Sequence, residues 1–261
     1  MISLPNPTEL LIGALAFMRV SSIMFSLPLI GDSPTPVRAR ILVSLAITVG
    51  IFPVLPETWY ASVGLDMLSF FTLLIKELTI GLIFGFAARM LFDGLVMAAS
   101  VVSYQMGFGT GTLFMPDFGG QMDSYTAFHR IVVMLIFLVL SMHHVFISGI
   151  FESFKLIPAG GLTITGPLAV TLLQISSDVF VIAVQLSAPI LVAVLFTTAA
   201  LGLIARTVPQ MNVFTLSFPA NFFIGLLVYI ATLPFFPEWM QQHFYNGKDQ
   251  LFATLKAMGT L

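Results

Sequence analysis

Four charged side chains lie within one long hydrophobic stretch of the sequence, and they are the first candidates for chemistry. Lys76 and Glu77 are adjacent, so on a helix they point about 100° apart, whereas Arg89 and Asp93 are four residues apart and can neutralise each other. Such charges can form the ion or proton path of a transporter. They can also be charge ties between helices or between subunits, which is the interpretation we favour.

Two further charges stand alone inside apolar segments. Neither Arg19 nor Asp178 has an oppositely charged neighbour within one helical turn. An unpaired charge at bilayer depth costs a few kcal/mol, so both need partners, either each other or groups on other subunits. The expected charge ties are therefore Arg19, Lys76, Glu77, Arg89, Asp93 and Asp178.

The sequence carries no signature of a metal, nucleotide or hydrolase site. His143 and His144 are adjacent with no third ligand at a suitable offset, and the chain contains no cysteine. The glycines at 107, 109 and 111 lack the spacing of a dinucleotide loop, and no Lys-Ser or Lys-Thr pair follows them. We therefore predict that the protein is not an enzyme and needs no metal or cofactor.

The loop after the third hydrophobic segment combines a glycine-rich backbone with large, soft side chains. Methionine adapts to irregular surfaces, and apolar constrictions close pores by excluding water. The loop is therefore a candidate hydrophobic plug, although its composition fits an ordinary packed loop equally well. The candidate plug residues are Met106, Gly107, Phe108, Gly109, Gly111, Phe114, Met115, Phe118 and Met122.

The composition is that of a membrane protein. Of 261 residues, 10 are Lys or Arg and 12 are Asp or Glu, 58% are hydrophobic, and the mean hydropathy is +1.02. Soluble domains carry roughly 25% charged residues, so a soluble monomer is excluded. No run of like charges marks a nucleic-acid interface. About six spans of about 20 residues leave no room for a soluble catalytic domain.

Six hydrophobic segments predict an all-α, polytopic integral membrane protein with about six long helices in hairpins. At about 1.5 Å per residue the third segment overshoots a bilayer, so it must tilt, break near Gly81 or Gly85, or extend beyond the lipid. The tail from Gln241 to Leu261 has the pattern of a short amphipathic helix. The segments run from about Thr8 to Leu29, Ala39 to Leu55, Met67 to Ser103, Tyr125 to Phe154, Leu168 to Ala205 and Val213 to Met240.

The connection between the fifth and sixth segments is the most distinctive region of the sequence. The stretch from Leu203 to Phe214, followed by Phe218-Pro219, closely resembles the signature of the FliR family of flagellar export-gate proteins, which has relatives in type III secretion injectisomes. Asn221 departs from the pattern, because a basic residue is expected there. Further landmarks occur in the expected order along nearly the whole chain, at Arg19, Pro36 to Arg40, Lys76-Glu77, Phe86 to Arg89, Gln105 to Gly107, Pro116, Gly120-Gln121 and His144.

The resemblance implies a function and an assembly. It implies a core channel-forming subunit of the flagellar type III protein export gate, which conducts unfolded flagellar proteins across the bacterial inner membrane at the flagellar basal body. The gate would be a helical hetero-oligomer with FliP-like and FliQ-like subunits and a FlhB-like switch protein. Residues 1–167, with the loop 104–124, would form a FliP-like region, and residues 168–261 a FliQ-like two-helix region with the amphipathic tail.

The signature also has a physical interpretation. Pro209 prevents straight continuation of a helix, while Gln210 and Asn212 offer amide groups to unpaired backbone groups. We therefore expect a rigid structural corner formed by Arg206, Pro209, Gln210, Asn212 and Phe214.

Two other functions stay open at this stage. The leading alternative is a secondary transporter with the intramembrane charges at a substrate or proton site, which inverted repeats would favour. The other is a purely structural membrane scaffold.

Overall fold

The computed structural model describes residues 6–28, 31, 35–56, 59, 67–108, 123–208, 210 and 212–259. Within these residues the chain is helical and has no strand, which confirms the predicted all-α class. The helices are α1 (Pro7–Ser26), α2 (Val37–Ile51), α3 (Met67–Met106), α4 (Ser124–Val139), α5 (His143–Leu156), α6 (Gly166–Thr207), α7 (Val213–Thr232) and α8 (Phe236–Met258), with 3₁₀ turns at Phe52–Val54 and Leu233–Phe235.

The helices are long and apolar enough for a polytopic membrane protein. Among the described residues, 5 helical stretches have the length and hydropathy of a span, and α4 with α5 gives a sixth if the pair is one broken span. This confirms the prediction of about six hydrophobic helices. The five stretches are Thr8–Ser26, Val37–Val54, Met67–Met106, Gly166–Thr207 and Thr215–Met258.

Two helices are much longer than a bilayer is thick. α3 has 40 residues and α6 has 42, so each is about 60 Å long at about 1.5 Å per residue. The hydrocarbon core of a bilayer is about 30 Å thick. Because α3 continues through Gly81 and Gly85 without a break, tilt and extension beyond the lipid are the two expectations that remain for it.

The predicted fourth segment is interrupted in the structure. α4 ends at Val139 and α5 begins at His143, and between them Ser141 has a φ of 55°, in the left-handed region that side chains disfavour. The sequence from 125 to 148 contains neither glycine nor proline. The interruption therefore had no local signal in the sequence pattern.

The boundary between the last two helices also differs from the prediction. α7 ends at Thr232 rather than near Met240, and α8 begins at Phe236. Pro234 and Pro237 explain the shift, because proline cannot donate a backbone hydrogen bond and is tolerated in the first turn of a new helix. α8 has the amphipathic pattern expected for the tail, with Phe244, Leu251 and Leu255 buried and Lys248 and Lys256 exposed.

The chain forms two compact units, each made of separated stretches of sequence. Unit 1 comprises Met1–Phe92, Ser141–Ser176 and Phe244–Leu261, and unit 2 comprises Asp93–Leu140 and Ser177–His243. Each unit thus contains residues from both sides of position 167. The division of the chain at residue 167 into a FliP-like and a FliQ-like region stays a prediction.

In unit 1, α1 and α3 pack closely because glycines of α3 lie against serines of α1. A Cβ atom added to Gly81 would overlap the side chain of Ser22 and lie 2.7 Å from the Arg19 carbonyl oxygen, and one added to Gly85 would overlap Ser26. A small residue at every fourth position allows this approach of two backbones. The buried side chains around the contact include Leu15, Val20, Ile23, Ile80, Phe84 and Ala88.

In unit 2, the second half of α3 packs with α4, α6 and α7. A Cβ atom on Gly94 would lie 3.0 Å from Ile182 Cδ1, so α3 and α6 are in close contact. Met106, at the end of α3, is fully buried and lies against Gly225 of α7. The core is completed by Leu95, Ala98, Val102, Val133, Phe137, Ile190, Val194 and Tyr229.

We expect Gly81→Val to destabilise unit 1 by about 1–3 kcal/mol, because the added atoms overlap Ser22 and the backbone of α1. The measurement is the melting temperature of the detergent-solubilised protein. Gly50→Val is the matched control, since a Cβ atom at Gly50 of α2 meets nothing within 4 Å. Equal melting temperatures for the two variants would contradict this description of the α1–α3 contact.

Candidate functional site: a buried ion pair at a helix junction

Unit 1 is built around an ion pair that is fully shielded from solvent. Arg19 of α1 and Glu77 of α3 both have 0% of the side chain exposed, and the Arg19 Nε–H donates to Glu77 Oε2. The two residues are 58 positions apart in sequence. Their pairing therefore joins two helices at a depth where either charge alone would be costly.

The rest of the Arg19 guanidinium holds the end of α5. Its Nη1 donates to the carbonyl oxygens of Ser153 at 2.8 Å and Ile157 at 3.0 Å. The Ser153 carbonyl oxygen also accepts from the N–H of Ile157, the C-cap residue, at 3.1 Å, and a cation at the C-terminal end of a helix interacts favourably with the helix dipole. Arg19 thus satisfies the end of α5 while it neutralises Glu77.

Two aromatic rings enclose the guanidinium. Its Cζ lies 4.6 Å from the ring centroid of Trp59 and 5.0 Å from that of Phe154. The Trp59 Nε1–H donates to the Phe154 carbonyl oxygen at 3.2 Å, which fixes the indole in place. Cation–π contacts are strongest where water is excluded, and Trp59 is completely buried.

Glu77 and its neighbour Lys76 both hold the turn that follows α5. Glu77 Oε1 accepts from the Gly160 N–H at 2.8 Å, and Lys76 Nζ donates to the Gly160 carbonyl oxygen at 3.0 Å. Gly160 has a φ of +69°, which favours glycine, and a Cβ atom there would overlap Leu73. Both backbone groups of one residue are thus bound by two consecutive side chains of α3.

These contacts fit a structural role, in which buried side chains hold helices together. Glu77 is engaged through both oxygens, and Arg19 through Nε and Nη1, while Arg19 Nη2 has no hydrogen-bond partner among the described residues. Within the described ranges no group of three or more His, Asp or Glu is placed to hold a metal ion. The cluster of Arg19, Glu77, Trp59, Phe154 and Gly160, which we call the Arg19 cluster, therefore joins α1, α3 and the end of α5.

The other predicted charge ties do not belong to the Arg19 cluster. Arg89 lies in unit 1, and Asp93 and Asp178 in unit 2; all three are half-buried and engaged in interactions. Asp178 of α6 interacts electrostatically with His243 of α8. The structure thus brings Arg19, Lys76 and Glu77 together, and the partner of Arg19 is Glu77.

The first three candidate plug residues form the end of α3 in unit 2. The Gly107 N–H donates to the Tyr104 carbonyl at 3.1 Å and the Phe108 N–H to the Ser103 carbonyl at 3.1 Å, with Gly107 at a φ of +96°. This pair of bonds is a Schellman motif, which ends a helix at a glycine. The remaining candidates, Gly109, Gly111, Phe114, Met115, Phe118 and Met122, lie outside the described residues.

An aromatic cluster holds the start of the loop against α4 and α7. The ring centroid of Phe108 lies 6.4 Å from that of Tyr125, 5.6 Å from that of Phe222 and 6.4 Å from that of Phe218. These distances are typical of favourable aromatic pairs. Residue 108 is therefore anchored where the described portion of the loop ends.

Asp123 anchors the other end of the loop as the N-cap of α4. Its carboxylate accepts from the Thr126 N–H and from the Thr126 hydroxyl, both at 2.9 Å. Partial burial alone would raise the pKa of Asp123, but the nearby Ser103 hydroxyl and the hydrogen bonds from Thr126 lower the pKa below its usual value. The cap is therefore ionised at neutral pH and helps to fix the start of α4.

The predicted corner lies between α6 and α7. Asn212 is the N-cap of α7, and its Oδ1 accepts from the Thr215 N–H at 3.3 Å. Arg206, in the last turn of α6, and Gln210 are exposed. Pro209 and the side chain of Phe214 lie outside the described portion of the chain.

Trp59, Phe154 and Gly160 were not identified as site residues from the sequence. Their hydrogen bonds join residues 83 to 95 positions apart, and both rings contact Arg19; a single sequence does not reveal such contacts. Two local signals were present. Pro158 to Gly161 has the composition of a turn, and Trp59 is one of only 2 tryptophans in the chain.

Comparison with known proteins gives a consistent result over most of the chain. A family model described as bacterial export proteins, family 1, matches residues 10–247. The flagellar biosynthetic protein FliR of Aquifex aeolicus is 28% identical over 238 residues, 89% of each chain. The protein of that name from Bacillus subtilis is 29% identical over 84% of this chain and 85% of its own, and that from Escherichia coli is 25% identical over 91% and 90%.

Removing one member of the ion pair should destabilise the protein more than removing both. We expect Arg19→Met or Glu77→Met to cost about 3–5 kcal/mol, because the remaining charge is left buried, and the double variant to recover some of this loss. The readout is the yield and melting temperature of the solubilised protein.

Lys155→Met is the matched control for these substitutions. Lys155 pairs with Glu152 at 3.4 Å on the surface, with 64% of the lysine side chain exposed, so its loss should cost at most about 1 kcal/mol. Single variants at Arg19 and Glu77 that melt like the Lys155 control would show that the ion pair is not important for stability.

Proposed function

The chain belongs to the bacterial export proteins, family 1, and on this basis we propose that it is a core channel-forming subunit of the flagellar type III protein export gate. It conducts unfolded flagellar proteins across the bacterial inner membrane at the flagellar basal body. The observation that carries the proposal is the family match over residues 10–247, in a chain whose described residues form helices with the length and hydropathy of membrane spans.

The architecture supports a role as one component of a larger assembly. Large side chains on the described helices are exposed, such as Phe180, Phe196 and Leu203 on α6 and Phe223 and Leu227 on α7. At lengths of about 60 Å, α3 and α6 cannot be covered by lipid alone. The proposed partners are FliP-like and FliQ-like subunits and a FlhB-like switch protein, with residues 1–167 as the FliP-like region and 168–261 as the FliQ-like region.

The family is one of export components, and the proposed role needs no chemical step by this chain. Energy for transport would come from other components of the apparatus. The Arg19 cluster also fits a structural role better than a transporter site, because Glu77 is fully buried and bound to Arg19 and to a backbone N–H. We therefore do not favour the secondary-transporter alternative.

Within the gate, we propose that the loop 104–124 closes the resting pore as a hydrophobic plug. A pore wide enough for an unfolded chain must be sealed when no substrate is present, and apolar side chains can exclude water and ions. Both described ends of the loop support this role. Phe108 packs among aromatic rings and Asp123 caps α4, so the ends of α3 and α4 next to the loop are held by contacts of their own.

The proposal is tested by removing the seal while keeping the loop. We expect Phe114→Ser/Met115→Ser/Phe118→Ser to make cells permeable to small ions, because three apolar side chains of the plug are lost. Deleting residues Gly109 to Gly119 should have the same effect. The measurement is ion or small-solute influx, with assembly checked by co-purification of the FliP-like and FliQ-like subunits.

Thr110→Ser/Thr112→Ser is the control, since it changes the same loop and leaves its apolar side chains intact. This variant should be as impermeable as wild type. If the assembled serine variant and the assembled deletion variant both stay impermeable, the loop is not the plug.

A further inference from the structure

A buried histidine in the core of unit 2 has no part in the Arg19 cluster. His129 of α4 and Tyr229 of α7 are 2% and 1% exposed, and His129 Nδ1 lies 3.2 Å from the Tyr229 hydroxyl oxygen, within hydrogen-bond distance. The two residues are 100 positions apart in sequence, and both belong to unit 2. Their hydrogen bond therefore joins α4 to α7.

The other ring nitrogen of His129 is buried as well. Nε2 makes no hydrogen bond within the described residues, although the ring interacts with the Leu95 carbonyl of α3. The cavity beside the ring has a volume of about 10 Å³, the space of a single water at most. A charge on this ring could therefore not be hydrated. The apolar side chains that line the cavity from α3 and α6 are Ala98, Ala99, Val102, Leu186 and Ile190.

Among the described residues, no carboxylate lines the cavity beside the imidazole. The titratable groups that line it with His129 are Tyr125 of α4 and Tyr229 of α7, and the lining residues from α3, α6 and α8 are uncharged. Asp123 and Arg130 are close to His129 along the chain but do not line the cavity. Whichever nitrogen carries the proton in the neutral ring, a second proton would leave a buried cation without a counter-ion.

Aromatic rings surround the imidazole. Its ring centroid lies 6.3 Å from that of Tyr125, 5.7 Å from that of Tyr229 and 5.7 Å from that of Phe236. These distances are typical of favourable aromatic pairs, so the neutral ring packs well. A ring face also attracts a cation, but it replaces only part of the hydration that burial removes. The surroundings therefore favour the neutral imidazole.

One of these rings also contacts the start of the loop 104–124. Tyr125 stacks on His129 with an interplanar angle of 23° and on Phe108 with an angle of 24°. The Phe108 N–H donates to the Ser103 carbonyl at the end of α3. A change at His129 can therefore reach Phe108 through a single aromatic ring.

We propose that His129 is a proton-sensitive latch between α4 and α7. The neutral imidazole closes the contact through its hydrogen bond with Tyr229, and protonation opens the contact because the cation has no counter-ion in the core. An exposed histidine titrates near about pH 6.5. The closed contact thus has its full stability above that pH and loses stability as the pH falls below it. This inference does not depend on the proposed export function.

The test measures hydrogen exchange of the backbone amides in the complete chain, purified in detergent, in alkaline and in acidic buffer. Dividing each rate by the intrinsic rate at the same pH gives the open fraction. Between about pH 8 and about pH 5, the open fraction of wild-type α4 and α7 around His129 should rise about 30-fold, the ratio of protonated to neutral imidazole for an exposed histidine in acid. The Phe108 amide should lose protection with them. Amides of α1 in unit 1 are the internal reference.

Two substitutions separate the proton from the packing. His129→Asn places a neutral amide near the position of Nδ1 and His129→Gln near that of Nε2, and neither side chain takes up a proton. Both variants should be less protected than wild type in alkaline buffer, but their open fractions should change little in acid. His144→Asn is the matched control, because His144 of α5 is exposed, and it should show the same rise as wild type.

A rise in acid as large in both His129 variants as in wild type would overturn the proposal, and so would a wild-type open fraction that is equal at the two pH values. If neither variant folds, wild type alone decides. A loss of protection in α1 as large as that in α4 would then show a general effect of acid instead of a latch. A Phe108 amide that stays protected while α4 opens would contradict the link to the loop.

Discussion

The buried pairing of Arg19 with Glu77 is the constraint on which the arrangement of unit 1 depends. Neither charge can be left alone in an apolar interior, so α1 and α3 must meet at this depth. Once they meet, the remaining hydrogen-bonding groups of the two side chains bind neighbouring backbone groups. Arg19 binds the last carbonyls of α5 and Glu77 binds Gly160, so one ion pair fixes two helices, a helix end and a turn.

Small residues let α1 and α3 approach closely beside this ion pair. Gly81 and Gly85 lack the side chains that would hold the two backbones apart next to the ion pair. In unit 2 the contacts that hold the loop are at the ends of α3 and α4. The Schellman motif at Gly107 and the cap at Asp123 hold both sides of the loop, so a change in the loop need not disturb the helices that carry it.

The sequence predicted features that depend on local pattern. Hydropathy located the long helices, the length of the third segment indicated an element longer than a bilayer, and the charges inside apolar runs marked residues that need partners. It could not identify those partners, because the contact of Glu77 with Arg19 spans 58 residues and that with Gly160 spans 83. The break at Ser141 was also missed, because the sequence around it contains neither glycine nor proline.

The proposed export function requires unfolded substrates to pass along this chain, and the absence of cysteine from its sequence allows a direct test. A substrate fused to a folded domain is stalled during export, and its single cysteine is cross-linked to Thr112→Cys in the loop or to Ser148→Cys at an exposed position of α5. We predict a cross-link at position 112 that requires the stalled substrate and is much weaker at 148. Equal cross-linking at both positions, or cross-links to the partner subunits alone, would contradict the proposed function.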